Sequence, residues 1–464
     1  MTPLSGAVLL YLLLQFGIGV WVSRRIRTEA DYLLGGRSLG YWLATFSIFA
    51  TWFGAETVVG SSGTTYREGV SLASAEPFGY GLCLIIMGAV FAVPLWRRQL
   101  TTLADLFRTR YSVGVERFAA ALLIPGSVLW AAAQVRAFGH VLSTTSGLTS
   151  TTAVTLAAAI CIGYTAFGGL LADAMTDLIQ GILLALGLIV LLVVVIVHLG
   201  GIGGTLAAIA NSDRIVAPGA GTGHPSFLAT LEAWAIPVCG SAVATELVSR
   251  VIATRTPQIA RRSSFAAAAL YLAIGAIPVF IGVVAAGMAP GLNDPEQFLP
   301  AVARQLLPGL AYAVFAGGLI SAILSTVDST LLVASGLLSH NLLVPIFRIE
   351  NERTRVLLAR AGVVAFGIGA FVLALHAEGV FALVEQASAF GSAGSLVTVC
   401  FGLFTVWGGA RTAMATLATG MLSYLWARVA GMPYPFLTSL ATALLVYLVG
   451  AALETRVAAR KVAA

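Results

Sequence analysis

The 464 residues predict an all-α, polytopic membrane protein of about 13 transmembrane helices, on three observations. Only 10% of residues are Asp, Glu, Lys or Arg, against roughly 25% in soluble domains. Hydrophobic residues make up 58%, with a mean hydropathy of +0.94, and a soluble fold of this size has too few charges to cover its surface. The apolar residues also fall in runs near the ~20 residues a helix needs to cross a bilayer. The net charge of +6 is therefore no nucleic-acid signature; its meaning lies in where the positives sit.

Thirteen apolar stretches meet that length: roughly 4–23, 40–66, 74–96, 118–146, 151–167, 175–199, 229–249, 264–288, 309–340, 357–376, 380–407, 412–430 and 434–453. They are numbered as spans one to thirteen. The first has no charged n-region and no A-x-A site, so it reads as a retained span rather than a signal peptide. The fifth is short. The connection at 200–228, rich in Gly, Ala and Pro, has room for a short surface helix. Cys83, Cys161, Cys239 and Cys400 lie far apart in apolar stretches without a CxxC, as packing residues do.

The basic residues orient the chain. With the N-terminus outside and the C-terminus in the cytoplasm, 21 of the 26 Lys and Arg are assigned to the cytoplasmic side, in groups such as Arg24–Arg37, Arg250–Arg262 and Arg348–Arg360. Only Arg67, Arg136, Arg214, Arg304 and Arg428 fall outside or near outer helix ends. The groups at Arg97–Arg117 and Arg411 fit only if one boundary between spans is read loosely. A multi-pass protein of the cell's inner (plasma) membrane is expected, with the lipid bilayer as its surroundings.

Two spans carry instructions to break. The stretch "ATWFGAETVVGSSGTTYREG" at 50–69 packs Gly54, Gly60, Gly63 and Gly69 around Glu56, Thr57, Ser61, Ser62, Thr64 and Thr65 inside span two. Span seven has "IPVCGSAVATE", with Pro237 and Gly240. Interrupted helices at matching places in two halves point to an inverted-repeat transporter with substrate between the breaks; two close-packing helices are the plainer reading. Span nine carries "SAILSTVDSTLLVASG". Most of its hydroxyls are expected to bond carbonyls one turn back. The adjacent Ser325 and Thr326, with Ala322 a turn earlier, also gather the oxygen ligands a hard cation takes. The remaining oxygens would come from the carbonyls of an unwound span two.

The runs "DYLLGGRSLGYWLATFSIFATWFGAET", "GGLLADAMTDLIQG", "ELVSRVIATRTPQIARR" and "SAILSTVDSTLL" resemble, in the right order and over nearly the whole chain, the sodium:solute symporter family. The resemblance implies a LeuT-type fold: one extra N-terminal helix with its loop (4–39), two inverted five-helix repeats (40–199 and 229–407), and two trailing helices with a short tail (412–464), all one transmembrane domain. It implies Na+ as coupling ion, held by the carbonyls of Ala50, Phe53 and Ala322 and the hydroxyls of Ser325 and Thr326. Asp177 matches an acidic residue tied to the sodium exit path. Thr57 and Glu76 match substrate-facing positions, but "SAEPFGYG" departs from the sugar-carrying members, so the substrate stays open.

Buried carboxylates are costly in a membrane, and each needs a reason. Glu56, in the predicted break, is assigned with Thr57 and Glu76 to the substrate cavity; the alternative for it is a cap on freed amides. Asp328, about 200° around the helix from Thr326, is expected to face away from the sodium ligands. Glu246 is expected to pair with Arg250 one turn on. No His cluster at metal-ligand spacing, no Ser/His/Asp set and no phosphate loop occurs, so no enzyme and no metal other than sodium is predicted. The expected activity is sodium-coupled import of a small organic solute by alternating access, with no nucleic acid and no obligate protein partner. A solute sensor without net transport and a proton-coupled symporter are the alternatives. The tail "ETRVAARKVAA" carries no output domain, which disfavours the sensor.

Overall fold

The computed structural model describes residues 15, 17–146, 149–215, 226–376 and 379–463, and among them every regular element is a helix. Spans two to thirteen each have a helical counterpart. Span two is split into Tyr41–Trp52 and Glu56–Glu68, bent by 58° across the gap. Span seven runs Phe227–Ala235, then a wide turn at Ile236–Gly240, then Thr245–Ile252. Span eleven is divided at Gly391 into Val380–Ala389 and Ser392–Phe404. Nine described helices, or ten counting the bent pair once, are long and apolar enough to cross a membrane. The expected thirteen also includes span one, whose residues 4–14 and 16 lie outside the described residues, the short Thr151–Gly163, and span twelve, which is helical over Ala410–Val429 but is not among those nine or ten.

Spans five and six differ from expectation at their junction. Instead of a connection over 168–174, helix continues through Ser150–His198 and departs from helical geometry only at Gly169 (φ 61°, ψ 178°). The run "LLADAMTDLIQ" is a sound helix former, so one glycine does the work of a loop. That backbone region is open in practice only to glycine, and a Cβ there would lie 2.9 Å from the Tyr32 carbonyl. In the connection after span six, the expected surface helix is Gly201–Ala210; residues 216–225 lie outside the described residues. A second surface helix, Phe298–Leu306, was not foreseen.

Span nine is the axis of the bundle. Every residue from Leu319 to Leu332 is buried, polar ones included, as befits a helix surrounded on all sides. Its hydroxyls back-bond along the helix: Thr326 to the Ala322 carbonyl (3.1 Å), Ser329 to Ser325 (2.7 Å) and Thr330 to Thr326 (2.9 Å). Neighbours come close through small residues, since a side chain at Gly318 would sit 3.0 Å from the Leu183 carbonyl. At one end of the bundle His340 lies between Glu29 (3.0 Å) and Asp105 (3.3 Å). Burial pushes the Asp105 carboxyl up, but hydrogen bonds from His340 and from the amides of Thr101 and Thr102 outweigh it and hold the group below the usual carboxylate range.

Gly169→Val should lower the apparent melting temperature of the detergent-solubilised protein, because the strain is of order 1–3 kcal/mol. A melting curve matching the unmodified protein would show that the kink tolerates side chains.

Candidate functional site

The gap in span two follows from its sequence. Phe53 leaves the helix (φ −93°, ψ 72°), and the next amides turn elsewhere: Ala55 N–H donates to Gln134 Oε1 at 2.9 Å. The last carbonyls of Tyr41–Trp52 thus lose their usual partners. One of them, that of Thr51, lies 3.2 Å from the Thr326 hydroxyl of span nine. The same hydroxyl reaches the Ala322 carbonyl. Ser325, beside it, donates to Asp177 Oδ1, and Ser47 donates to the other oxygen at 2.6 Å. The structure therefore brings Ala322, Ser325, Thr326 and Asp177 together against the end of the first half-helix. Ala50 and Phe53, the residues whose carbonyls the resemblance implies, are buried on either side of Thr51–Trp52; the hydrogen bond engages Thr51.

Gln134, from span four, was not singled out by sequence. Its carbonyl oxygen takes the freed Ala55 amide while its amide donates to Glu56 Oε2 at 2.7 Å. Gln134 thus takes the Ala55 amide, while the Glu56 carboxylate engages the amides of Gly54 and Glu56. Glu56 Oε1 has no hydrogen-bond partner among the described residues, and Glu56 lines a cavity of about 200 Å³. Glu68, Glu76 and Glu385 line the same cavity, and no lysine or arginine does. Thr57 is not on its wall. Its hydroxyl donates to Glu76 Oε1 (2.7 Å) and meets Tyr271 Oη (2.5 Å), which also reaches Glu76 (3.1 Å). Both hydroxyls aim the Glu76 carboxylate.

Tyr80, on the cavity wall, belongs to an aromatic group with Trp52 and Trp130. The ring centroids are 6.3 Å apart for Trp52–Tyr80, 6.4 Å for Tyr80–Trp130 and 5.1 Å for Trp52–Trp130. Trp52 comes from the break, Tyr80 from span three and Trp130 from span four. Tyr80 also meets Ser388 of span eleven at 2.9 Å.

A charge network lies behind the sodium candidate. Arg250 is fully buried, and each of its three nitrogens is engaged: Nε on Thr51 Oγ1 (3.0 Å), one terminal nitrogen on Ser249 (3.0 Å), the other on Asp173 and Ser329. This corrects the expected Glu246–Arg250 pair. Both lie one turn apart, but Asp173, in the helix after the Gly169 kink, offers an equally buried carboxylate that Arg250 reaches instead. Asp328 accepts from Thr165 of span five at 2.6 Å, turned away from Ser325 and Thr326. Asp173 sits four residues before Asp177 in a run the sequence already marked, and that spacing shares one helix face. Gln134, a lone amide in "AAAQV", gave the other readable signal.

The sequence matches the sodium:solute symporter family over residues 32–420. Relatives include a high-affinity choline transporter of Drosophila melanogaster, 27% identical over 82% of this chain and 64% of its own length. The human high-affinity choline transporter is 28% identical over 81% and 68%. The Escherichia coli sodium/pantothenate symporter is 26% identical over 95% and 94%. The chain thus spans just under two thirds of the fly protein and almost all of the bacterial one. Among solved structures, a Na+-coupled sialic acid symporter in a substrate-bound outward-open state superposes with a TM-score of 0.85, at 18% identity and 97% coverage of both chains. A nucleobase-cation-symport-1 family transporter in a closed conformation gives 0.60 at 16% identity, over 89% of this chain and 92% of that one.

The fold is the LeuT type shared by these transporters. The chain belongs to the sodium:solute symporter family, and that membership with these likenesses supports sodium-coupled symport of a small solute.

Removing one partner from a buried ion pair costs about 3–5 kcal/mol. Arg250→Gln should therefore melt well below the unmodified protein, and adding Asp173→Asn should restore much of the loss. Strictly additive losses would mean that the two residues are not coupled.

Proposed function

We propose that this chain imports a small organic cation together with sodium. The observation that carries the reading is the cavity beside the break in span two, whose wall among the described residues holds Glu56, Glu68, Glu76 and Glu385 and no lysine or arginine; of the four, Glu68 is ion-paired to Arg67 at 2.6 Å. The aromatic group of Trp52, Tyr80 and Trp130 adjoins it. Carboxylates offset the charge of an ammonium group, and aromatic faces bind it once desolvated, worth about 2 kcal/mol or more. A substrate carrying a bare carboxylate meets carboxylates there, and Arg67 beside them is already paired with Glu68. The relatives named as choline transporters fit this reading; the pantothenate symporter's substrate fits it less well.

Sodium is assigned to the carbonyls of Ala50, Phe53 and Ala322 and the hydroxyls of Ser325 and Thr326, with Asp177 on its path and Glu56, Thr57 and Glu76 serving the substrate. The Thr51–Thr326 hydrogen bond supports this, since it marks where a cation would tie span two to span nine. That tie orders the broken helix and favours solute binding. The repeats at 40–199 and 229–407 then rock to expose both to the cytoplasm, with the N-terminus outside and the C-terminus inside. One sodium charge crossing 100 mV supplies about 2.3 kcal/mol, a cationic solute supplies as much again, and a tenfold sodium gradient adds about 1.4 kcal/mol. Together they sustain a solute gradient on the order of ten-thousandfold.

The deciding experiment is sodium-stimulated uptake of labelled solutes into proteoliposomes. A quaternary ammonium such as choline should be taken up and pantothenate should not; the reverse preference overturns the cationic substrate. Uptake that persists without sodium and follows the pH gradient would replace sodium with a proton. Specific solute binding without uptake would make the chain a sensor. Ser325→Ala with Thr326→Ala should raise the sodium concentration for half-maximal uptake at least tenfold, and an unchanged requirement would refute that site. Glu76→Gln should weaken choline uptake at least fivefold while leaving the sodium requirement in place.

A further inference from the structure

Glu246 opens the second half of span seven, directly after its break, and is buried. With Arg250 committed to Asp173, it makes no ion pair among the described residues. Its oxygens meet two hydroxyls and its own backbone amide: Ser127 of span four donates to Oε1, and Thr245 reaches Oε2 at 3.2 Å. The two hydroxyls are themselves 3.5 Å apart. An uncompensated carboxylate at this depth is costly unless a cation or a proton joins it.

The surroundings favour a metal cation. Glu246, Ser127 and Thr245 line a cavity of about 40 Å³ between the break in span seven, span four and the bend in span eleven. Ser241 lines it too; it is fully buried, and its hydroxyl has no hydrogen-bond partner among the described residues. Gly240 lets the broken segment approach span eleven, since a side chain there would strike the Ser388 carbonyl. The space exceeds the roughly 10–15 Å³ one water-sized sphere fills and is far below the ~300 Å³ or more of a small-molecule pocket. One carboxylate and three hydroxyls make an oxygen set for a hard cation, and the Trp130 indole lines the same space. The Tyr80–Ser388 hydrogen bond stands between this space and the larger acidic cavity, Tyr80 lining one and Ser388 the other.

We propose that Glu246, with Ser127, Ser241 and Thr245, binds a second sodium ion at the break in span seven. The two breaks then have parallel roles. Sodium at the first ties span two to span nine; sodium at the second ties span seven to span four, behind the Tyr80–Ser388 contact. Transport would carry two sodium ions per solute.

Equilibrium binding of 22Na+ to the purified full chain in detergent, without solute, tests this independently of the substrate class. The unmodified protein should bind two ions per chain, and Glu246→Gln one. Ser241→Ala should keep two sites, with one weakened several-fold. Ser325→Ala with Thr326→Ala should remove the other ion. A single ion bound by the unmodified protein, or two retained by Glu246→Gln, overturns the proposal. So does a Glu246→Gln variant with intact sodium stoichiometry but altered choline affinity, which would make Glu246 a solute contact. Should Glu246→Gln fail to fold, Ser241→Ala decides: an unchanged two-site isotherm rules the site out.

Discussion

The structure turns on a few peptide carbonyls that a helix gives up. A membrane helix normally satisfies every backbone group internally because lipid offers no substitute. Span two stops doing so at Phe53, and the freed groups are met by residues from elsewhere in the bundle: Thr326 from span nine for the Thr51 carbonyl, Gln134 from span four for the Ala55 amide. Those two partners hold the halves of the helix in a bent arrangement. They also stand on different parts of the bundle, so whatever strengthens one contact biases the position of span two against its neighbours. A cation at the Thr51–Thr326 contact has that leverage.

The buried acids fall into a pattern when sorted by how they are compensated. Asp173 has a full counter-charge in Arg250, and that pair braces the side chain of Thr51 whose carbonyl faces the sodium candidate. Asp177 has only two hydroxyls, from Ser47 and Ser325. Glu56 has neutral donors without a counter-charge, the Gln134 amide and nearby backbone amides among them, and Glu76 has two hydroxyls. Glu246 has two hydroxyls and its own backbone amide at the second break. Full compensation is structural; partial compensation leaves charge for an arriving cation to complete. The acids with incomplete partners lie beside the two helix breaks or beside span nine.

Much of this was legible in the residues. Long apolar runs and sparse charge gave the membrane fold, and the clustering of glycine with small polar residues at 50–69 located the first break. Pro237 and Gly240 located the second. The Ser325–Thr326 pair with Ala322 was readable because hydroxyls at that spacing share a helix face with the carbonyl below. The partners were not legible. Gln134, Tyr271 and Asp173 meet Glu56, Glu76 and Arg250 across 78, 195 and 77 positions of sequence, and no local periodicity encodes such contacts. For the same reason the i, i+4 rule misassigned Glu246: it ranks neighbours on one helix and is blind to a competing carboxylate from another. The Gly169 kink falls where a connection over 168–174 was expected, but that a single residue makes the turn was not legible, because a glycine gives no sign of its φ.

The most direct measurement is the position of a bound monovalent cation. Thallium(I) mimics sodium closely enough to occupy oxygen-lined sites and scatters anomalously, so diffraction from crystals soaked in a thallium salt would locate it without reference to activity. The account predicts an anomalous peak within coordination distance of the Thr326 and Ser325 hydroxyls and of a carbonyl at the end of the first half of span two. Thallium bound elsewhere in the bundle, with no density between spans two and nine, would contradict it.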